Sequence, residues 1–278
     1  MKNKMAICEW CFPGLGRSAL KLASDIGFEG IQLGDLGGAS RRFPMNDREI
    51  QEDYLQASAE YNIELETLHL YTLTREGTML YPFGTTQSDE AKQSILNGID
   101  ACVAMKIPVL FISSFFATFI RNDAHDWKNF ADHMRFACEH AKEKGVRVVY
   151  ESVLNIERFL RMLDYVGQDL KVLYDICNPY FHGSGVPVEE IRRFVETYGK
   201  DVIDQIHVKD RMPDFQNWSL LGDGGAHIAE TAKLIRDIGW SGWLVSETYY
   251  FEFDKKDPRN NFDLIRADLA NMKKVFNW

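Results

Sequence analysis

At 278 residues, 45% hydrophobic and 26% charged, the chain has room for one large domain or two small ones, each with a sizeable core. No stretch approaches the roughly 18 uncharged apolar residues of a membrane span, so none is expected. The formal net charge is −9 and no Lys/Arg cluster exceeds two residues, which argues against a phosphate-tracking nucleic-acid surface.

The opening MKNKMAICEWCFPG holds too few apolar residues for a secretory segment, so the expected location is the cytoplasm. Five cysteines, Cys8, Cys11, Cys102, Cys138 and Cys177, form an odd and widely spread set that fits reduced thiols. Cys8-Glu9-Trp10-Cys11 is formally C-x-x-C. With no second pair and no thioredoxin context, it reads as small residues packed at a strand end.

Strand-like runs and helical patterns then alternate along the chain. AIC (6–8) precedes a helix over 17–26, where Leu20, Leu22, Ala23 and Ile26 form the apolar set and Gly27 closes the end. EGIQL (29–33) follows, and Asn46 with Glu49 resembles a capping box opening a helix through Tyr61. After IELETLHL (63–70), the connection 72–88 reads as a long loop over an active face. IPVLFIS (107–113) leads to a helix over 125–144 that ends in Lys142, Lys144 and Gly145, cations and a glycine suited to a helix C-terminus. VRVVYE (146–151) is followed by Asn155, a cap for 156–166. LKVLYD (170–175) precedes a helix that starts on Pro187 and ends near Gly199. VIDQIHV (202–208), a helix over 228–238, WLVSE (243–247) and a helix over 263–276 complete the chain.

Eight strand–helix units imply a closed (β/α)8 TIM barrel, an α/β fold in a single domain over residues 1–278. The strands read as buried on both faces, as parallel strands are. An open doubly wound sheet is the alternative, but no G-x-G-x-x-G follows the first strand.

In such a barrel, function gathers at the C-terminal ends of the strands. The four late strands end at or beside Glu151, Asp175, His207 and Glu247. Taken singly, each reads as a salt-bridged strand end with Arg147, Lys171 or Lys209 as partner. Together, three carboxylates at one mouth cannot all ionise without a countercharge, and one divalent cation supplies it. An oxygen-rich set with one nitrogen suits Mn²⁺ first, with Mg²⁺, Co²⁺ or Zn²⁺ as alternatives.

These residues carry a resemblance. The chain is similar to the xylose isomerase-like TIM-barrel superfamily, the group of sugar isomerases and epimerases that includes D-tagatose 3-epimerase. That family's Glu, Asp, His and Glu metal ligands fall on Glu151, Asp175, His207 and Glu247, and its H-x-K-D string on His207-Val208-Lys209-Asp210. A G-[DE]-G motif appears as Gly222-Asp223-Gly224. The resemblance implies that Glu151 and Glu247 are the catalytic acid–base pair and that Glu157 touches the sugar. Three departures bear on the substrate: Asn178 stands where the epimerases carry a histidine (His182 is nearby), Phe215 replaces their arginine, and Gln32 replaces a second-strand glutamate.

His69, at the end of the third strand, is a further substrate-binding candidate, with Asn178, Lys209 and Arg211. If the substrate carries a phosphate, Lys209 and Arg211 are its expected partners. Trp10, Phe12, Phe115, Phe116 and Phe251 follow strand ends and can wall one face of a sugar ring, although packing in the core accounts for some of them. Glu9 and Asp35 lie near strand ends without an evident role.

The reading is therefore a metal-dependent isomerase or epimerase that moves a proton α to a ketose carbonyl through an enediolate. The same first step serves a dehydratase of the inositol-catabolic type or a C-glycoside-cleaving enzyme. A DNA-repair endonuclease on this barrel would need more ligands and a basic face, and a non-catalytic sugar-binding subunit would not need the full ligand set. A small sugar is the expected partner, with no nucleic acid or membrane, and pairing into a homo-oligomer is the expectation for barrels of this kind.

Overall fold

The computed structural model describes residues 2–37, 43–121, 124–214, 217–253 and 257–276. In chain order the elements are β1 (Lys4–Cys8), α1 (Arg17–Ile26), β2 (Gly30–Gly34), α2 (Arg48–Tyr61), β3 (Glu64–His69), α3 (Tyr71–Glu76), α4 (Thr86–Met105) and β4 (Val109–Ser113). Next come α5 (Ala124–Glu143), β5 (Arg147–Glu151), α6 (Ile156–Val166), β6 (Leu170–Asp175), α7 (Cys177–His182), α8 (Pro187–Tyr198) and β7 (Ile203–Val208). The chain closes with β8 (Asp210–Arg211), β9 (Trp218–Ser219), α9 (Ile228–Asp237), β10 (Trp243–Ser246) and α10 (Asn261–Phe276). The strands close into a barrel in the order β1-β10-β7-β6-β5-β4-β3-β2, and β8 and β9 form a separate two-stranded ribbon. The expected α/β barrel with helices between its strands is the observed architecture. No described helix is long and apolar enough to cross a membrane.

The chain gathers into two compact units. The first comprises Met1–Ile31, Tyr61–Ile63 and Leu173–Trp278. Within it β10 pairs in parallel with both β1 and β7, setting Val245 against His207 and Ser246 against Val208. α1 buries Ala19, Leu20 and Ala23, and Gly27 ends it in the left-handed region at φ +105°, its N–H returning to the Ala23 carbonyl. Glycine meets that conformation at no steric cost. Pro187 opens α8 as expected.

The second unit comprises Gln32–Glu60 and Glu64–Val172. β4 pairs with β5 in register from Val109–Arg147 to Ser113–Glu151, and all five β4 residues are buried. Asn155 caps α6, its side-chain oxygen accepting the Arg158 N–H at 3.1 Å.

Two sequence expectations change here. Asn46 belongs to a short 3₁₀ turn, and the first-turn amide of Glu49 is capped by Asp47 Oδ1 at 3.0 Å. The stretch 72–88 is not a plain loop: it holds most of α3, a 3₁₀ turn at Thr78–Leu80 and the start of α4, whose first turn is capped by Thr85. α4 itself escapes notice in the sequence because small residues make much of its buried face, among them Ala91, Ser94, Gly98 and Cys102. Gly98 is needed there: a Cβ would fall 2.6 Å from Leu70 Cδ2 and 3.0 Å from Leu110 Cδ1.

Several buried carboxyls lock segments together. Asp35 accepts from the Thr72 amide at 3.0 Å and its hydroxyl at 2.9 Å, and burial, partly offset by those bonds, raises its pKa to about 7. Asp268 on α10 accepts from the Leu221 amide and the Tyr250 and Thr248 hydroxyls, and burial raises it to about 6 against them. Glu190 in the first turn of α8 accepts the Tyr174 hydroxyl at 2.9 Å, its other oxygen is buried without a partner, and burial raises it from 4.5 to about 7.

The folded chain therefore holds a proton on Glu190 up to about pH 7, whereas an unfolded glutamate releases it near its ordinary 4.5. The folded state binds more protons in that window, so the stability present on the acid side is lost as pH rises through 7. Glu190→Gln should remove this loss. Thermal melts should show the variant more stable than wild type at pH 8 by on the order of 1–2 kcal/mol, with the gap closing at pH 5. An equal pH dependence in both proteins would mean that Glu190 ionises freely.

Candidate metal centre

Four elements deliver the side chains. β5 ends on Glu151, whose carbonyl accepts the Ser114 N–H at 3.2 Å. β6 ends on Asp175, whose Oδ1 accepts the amides of Cys177 at 2.8 Å and Asn178 at 2.7 Å and so turns the chain into α7. His207 is the penultimate residue of β7, and Glu247 directly follows β10, its amide donating to the Val208 carbonyl at 3.2 Å. All four are buried, and one ligand atom from each lies within 4.8 Å of the others. These are the four strand-end residues that the sequence singles out.

Within this group His207 Nδ1 lies 3.3 Å from Glu247 Oε2 and 3.9 Å from Asp175 Oδ2, while its Nε2 faces Cys8 Sγ at 3.9 Å. The ammonium of Lys209 sits among the carboxylates, 2.7 Å from Asp175 Oδ2 and 2.5 Å from Glu247 Oε2. Glu247 also accepts the Trp10 indole N–H on Oε1 at 3.1 Å. Burial pushes the Glu247 carboxyl up, but the charges on Lys209 and His207 outweigh it and hold the group well below the usual carboxylate range. A buried cluster of this charge, at this spacing, can bind one cation.

The H-x-K-D and G-D-G strings form one device. Asp210, directly after Lys209, accepts the backbone amides of Arg211 at 2.9 Å and of Gly222, Gly224 and Ala226 at 3.0 Å each. A single buried carboxylate thus folds the loop back beside β8. Gly222 takes the turn at φ +92°, and a Cβ on Gly224 would lie 2.3 Å from both the Arg211 carbonyl and Asp210 Oδ1.

Asn178 is half-buried at the start of α7, and Glu157 is exposed in the first turn of α6. His69 is buried, its Nε2 3.1 Å from Ser113 Oγ and its ring stacked on Phe111 at 3.9 Å. Phe12 is buried, Phe115 half-buried, and Phe116 and Phe251 are exposed, with Phe251 edge-on to Tyr249. Phe215 lies outside the described residues. Cys8 and Cys11 are both buried. Glu9 gains a structural role, accepting the Gly16 amide at 2.7 Å. One feature escapes sequence reasoning, the reach of Trp10 to Glu247 by its polar edge. Lys209, offered by the sequence as a salt-bridge partner of a single strand end, pairs with two of the ligand-type carboxylates at once.

The chain is thus a parallel α/β barrel whose late strand ends carry an acidic, imidazole-bearing cluster that can hold a metal ion. The family model described as xylose isomerase-like TIM barrel matches residues 20–275, and the chain belongs to that family. It is 29% identical over 241 residues to a 2-epi-5-epi-valiolone 7-phosphate 2-epimerase of Actinoplanes sp., which covers 85% of this chain and 83% of that protein. It is similar to a solved D-psicose 3-epimerase of Clostridium cellulolyticum H10 with D-tagatose, at TM-score 0.77 and 14% identity over 99% of this chain and 100% of the other. A D-allulose 3-epimerase of Methylomonas sp. in complex with D-allulose gives TM-score 0.75 and 15% identity over 99% and 97%. At such identities the structural likeness speaks to fold.

The Asp210 device has a direct test. In Gly224→Ala the added methyl meets backbone and a buried carboxylate, neither of which can give way cheaply. Chemical denaturation should show a loss of about 1–3 kcal/mol. A variant as stable as wild type would show that the loop is not held by Asp210.

Proposed function

We propose that the protein is a divalent-metal-dependent isomerase that epimerises a ketose or related polyhydroxy ketone, acting as one domain over its 278 residues. The observation that carries this reading is the buried group of Glu151, Asp175, His207 and Glu247, with ligand atoms within 4.8 Å of one another. Family membership and an epimerase relative spanning 85% of the chain support it. Three carboxylates and one imidazole fit a hard to borderline divalent ion, with Mn²⁺ placed first. For an ion to draw on these oxygens, Lys209 Nζ has to give up its place beside Asp175 and Glu247, and its flexible stem permits that.

When bound, such an ion polarises the substrate carbonyl as a Lewis acid. Asp175 and His207 serve to hold it, with Asp175 kept in place by the two amides of α7. Glu151 and Glu247 are the acid–base pair: one carboxylate takes the proton α to the carbonyl, and the other returns a proton from the opposite face, inverting that carbon. The Trp10 N–H on Oε1 fixes the orientation of Glu247. Lys209, released, faces substrate oxygens as a hydrogen-bond donor. Asn178, Glu157 and His69 remain the further substrate-side candidates, with Phe115 and Phe251 as walls that exclude water.

The metal is tested by removal. At an ion concentration about 100 times the dissociation constant, binding to the folded state alone adds roughly 2.7 kcal/mol. Chelator should lower the melting temperature, and Mn²⁺ or Co²⁺ should restore it. Identical melts with and without chelator, in protein that elemental analysis finds metal-free, would remove the metal from this reading.

The acid–base pair is tested by Glu151→Gln and Glu247→Gln, which keep a ligand oxygen but lose a carboxylate's proton transfer. Each should keep bound metal and lose about 10²–10⁴-fold in turnover. In deuterated water, the variant that keeps the proton-abstracting glutamate should still exchange the α-hydrogen without inverting the carbon, and the other should do neither. Wild-type rates in both variants would show that other groups carry the protons.

A further inference from the structure

Arg211 presents a cation that the fold has oriented and left without an anionic partner. It is the second residue of β8, paired across the ribbon with Trp218. Its backbone is fixed at both ends, the amide donating to Asp210 Oδ1 at 2.9 Å and the carbonyl accepting from Gly225 at 2.8 Å. The guanidinium carbon lies 4.2 Å from the ring centre of Phe181 and 4.3 Å from that of Trp218. Two rings against one planar group set its plane and limit its rotation. Trp218 is itself held, its indole N–H donating to Glu252 Oε2 at 2.8 Å and its ring meeting Tyr249 at 5.3 Å.

What the rings do not supply is an acceptor. Arg211 Nε is buried with no hydrogen bond, and among the described residues no carboxylate pairs with the guanidinium. Two other arginines over rings find one: Arg135, 4.2 Å from the Tyr165 ring, donates to the Tyr165 carbonyl, and Arg75, 4.6 Å from the Tyr71 ring, donates to the Tyr71 hydroxyl. A guanidinium has five N–H donors, and a buried donor without an acceptor is costly unless a ligand completes it.

The position suits a substrate. Arg211 lies two residues beyond Lys209, which contacts Asp175 and Glu247. The Arg211 guanidinium packs on Phe181 of α7, the helix that begins two residues after Asp175, and so lies beside the candidate metal centre.

We infer that Arg211 is a preoriented anion subsite that takes the phosphoryl group of a phosphorylated polyhydroxy ketone. This rests on the isomerase reading above and names its substrate class. The planar fork of a guanidinium matches two phosphoryl oxygens with parallel N–H bonds. A phosphate monoester carries close to two negative charges at neutral pH, enough to satisfy both Arg211 and a released Lys209. A neutral sugar would leave the guanidinium without its anion.

The test is a calorimetric titration of metal-loaded protein, freed of excess ion, with inorganic phosphate and separately with malonate. Wild type should bind phosphate more tightly than malonate. R211Q should weaken phosphate binding roughly 10- to 100-fold, as loss of charge-assisted hydrogen bonds does. R211K, which keeps the charge but not the fork, should fall between, and it carries the comparison if R211Q does not fold. Elemental analysis should find the same metal content in all three. Equal phosphate binding by wild type and R211Q, or a preference for malonate, overturns the subsite. Phosphate binding that depends on Arg211 in a protein inactive on every sugar would uphold the subsite and remove the isomerase reading. Turnover of free ketoses with no phosphate binding would do the reverse.

Discussion

The organising constraint is the burial of like charges at the strand ends. Glu151, Asp175 and Glu247 lie where a lone carboxylate pays heavily for desolvation, and His207 joins them. Such a group persists only if positive charge enters it. Lys209 brings one charge directly, and the low position of the Glu247 carboxyl shows how strongly the surroundings favour the anion. Much of the neighbouring architecture follows from keeping these groups in place: the amides of α7 on Asp175, the indole of Trp10 on Glu247, and the Asp210 knot immediately beyond Lys209.

The same constraint made part of the site legible in sequence. Parallel strands buried on both faces read as apolar runs, so a carboxylate or histidine that interrupts their ends stands out. LKVLYD matches β6 residue for residue, and VRVVYE and VIDQIHV each overrun β5 and β7 by one residue at the start. Roles that depend on reach were not legible. Nothing in the string C-E-W-C says that Trp10 turns its polar edge to a residue 237 positions away. The sequence offers Lys209 as partner to one strand end, but does not reveal that its ammonium bridges two carboxylates at different strand ends.

Elements went unread for a different reason. α4 buries mostly small side chains against a tightly approached neighbour, so Ile95, Ile99 and Met105 are the few large apolar residues on the face by which a helix declares itself. The start of α2 shows a competition between adjacent caps: Asn46 and Asp47 both have the chemistry, and the 3₁₀ turn over Pro44–Asn46 leaves Asp47 as the residue positioned to accept from Glu49. Local chemistry names the candidates for a cap, and the path of the preceding chain selects among them.

The buried carboxyls of Asp35, Glu190 and Asp268 have a consequence for how the molecule exchanges protons with its solvent. With pKa values raised to about 7, 7 and 6, they keep protons near neutrality that the same residues surrender once the chain opens. On unfolding near pH 6 these three carboxyls release protons, while His133 and His182, whose pKa values burial lowers, take some up. The heat absorbed on unfolding there includes the ionisation heat of whichever buffer takes those protons, so calorimetric enthalpies measured in buffers of different ionisation heat will differ. In the native molecule, the same retained protons leave the net charge near neutrality less negative than the formal −9 implies.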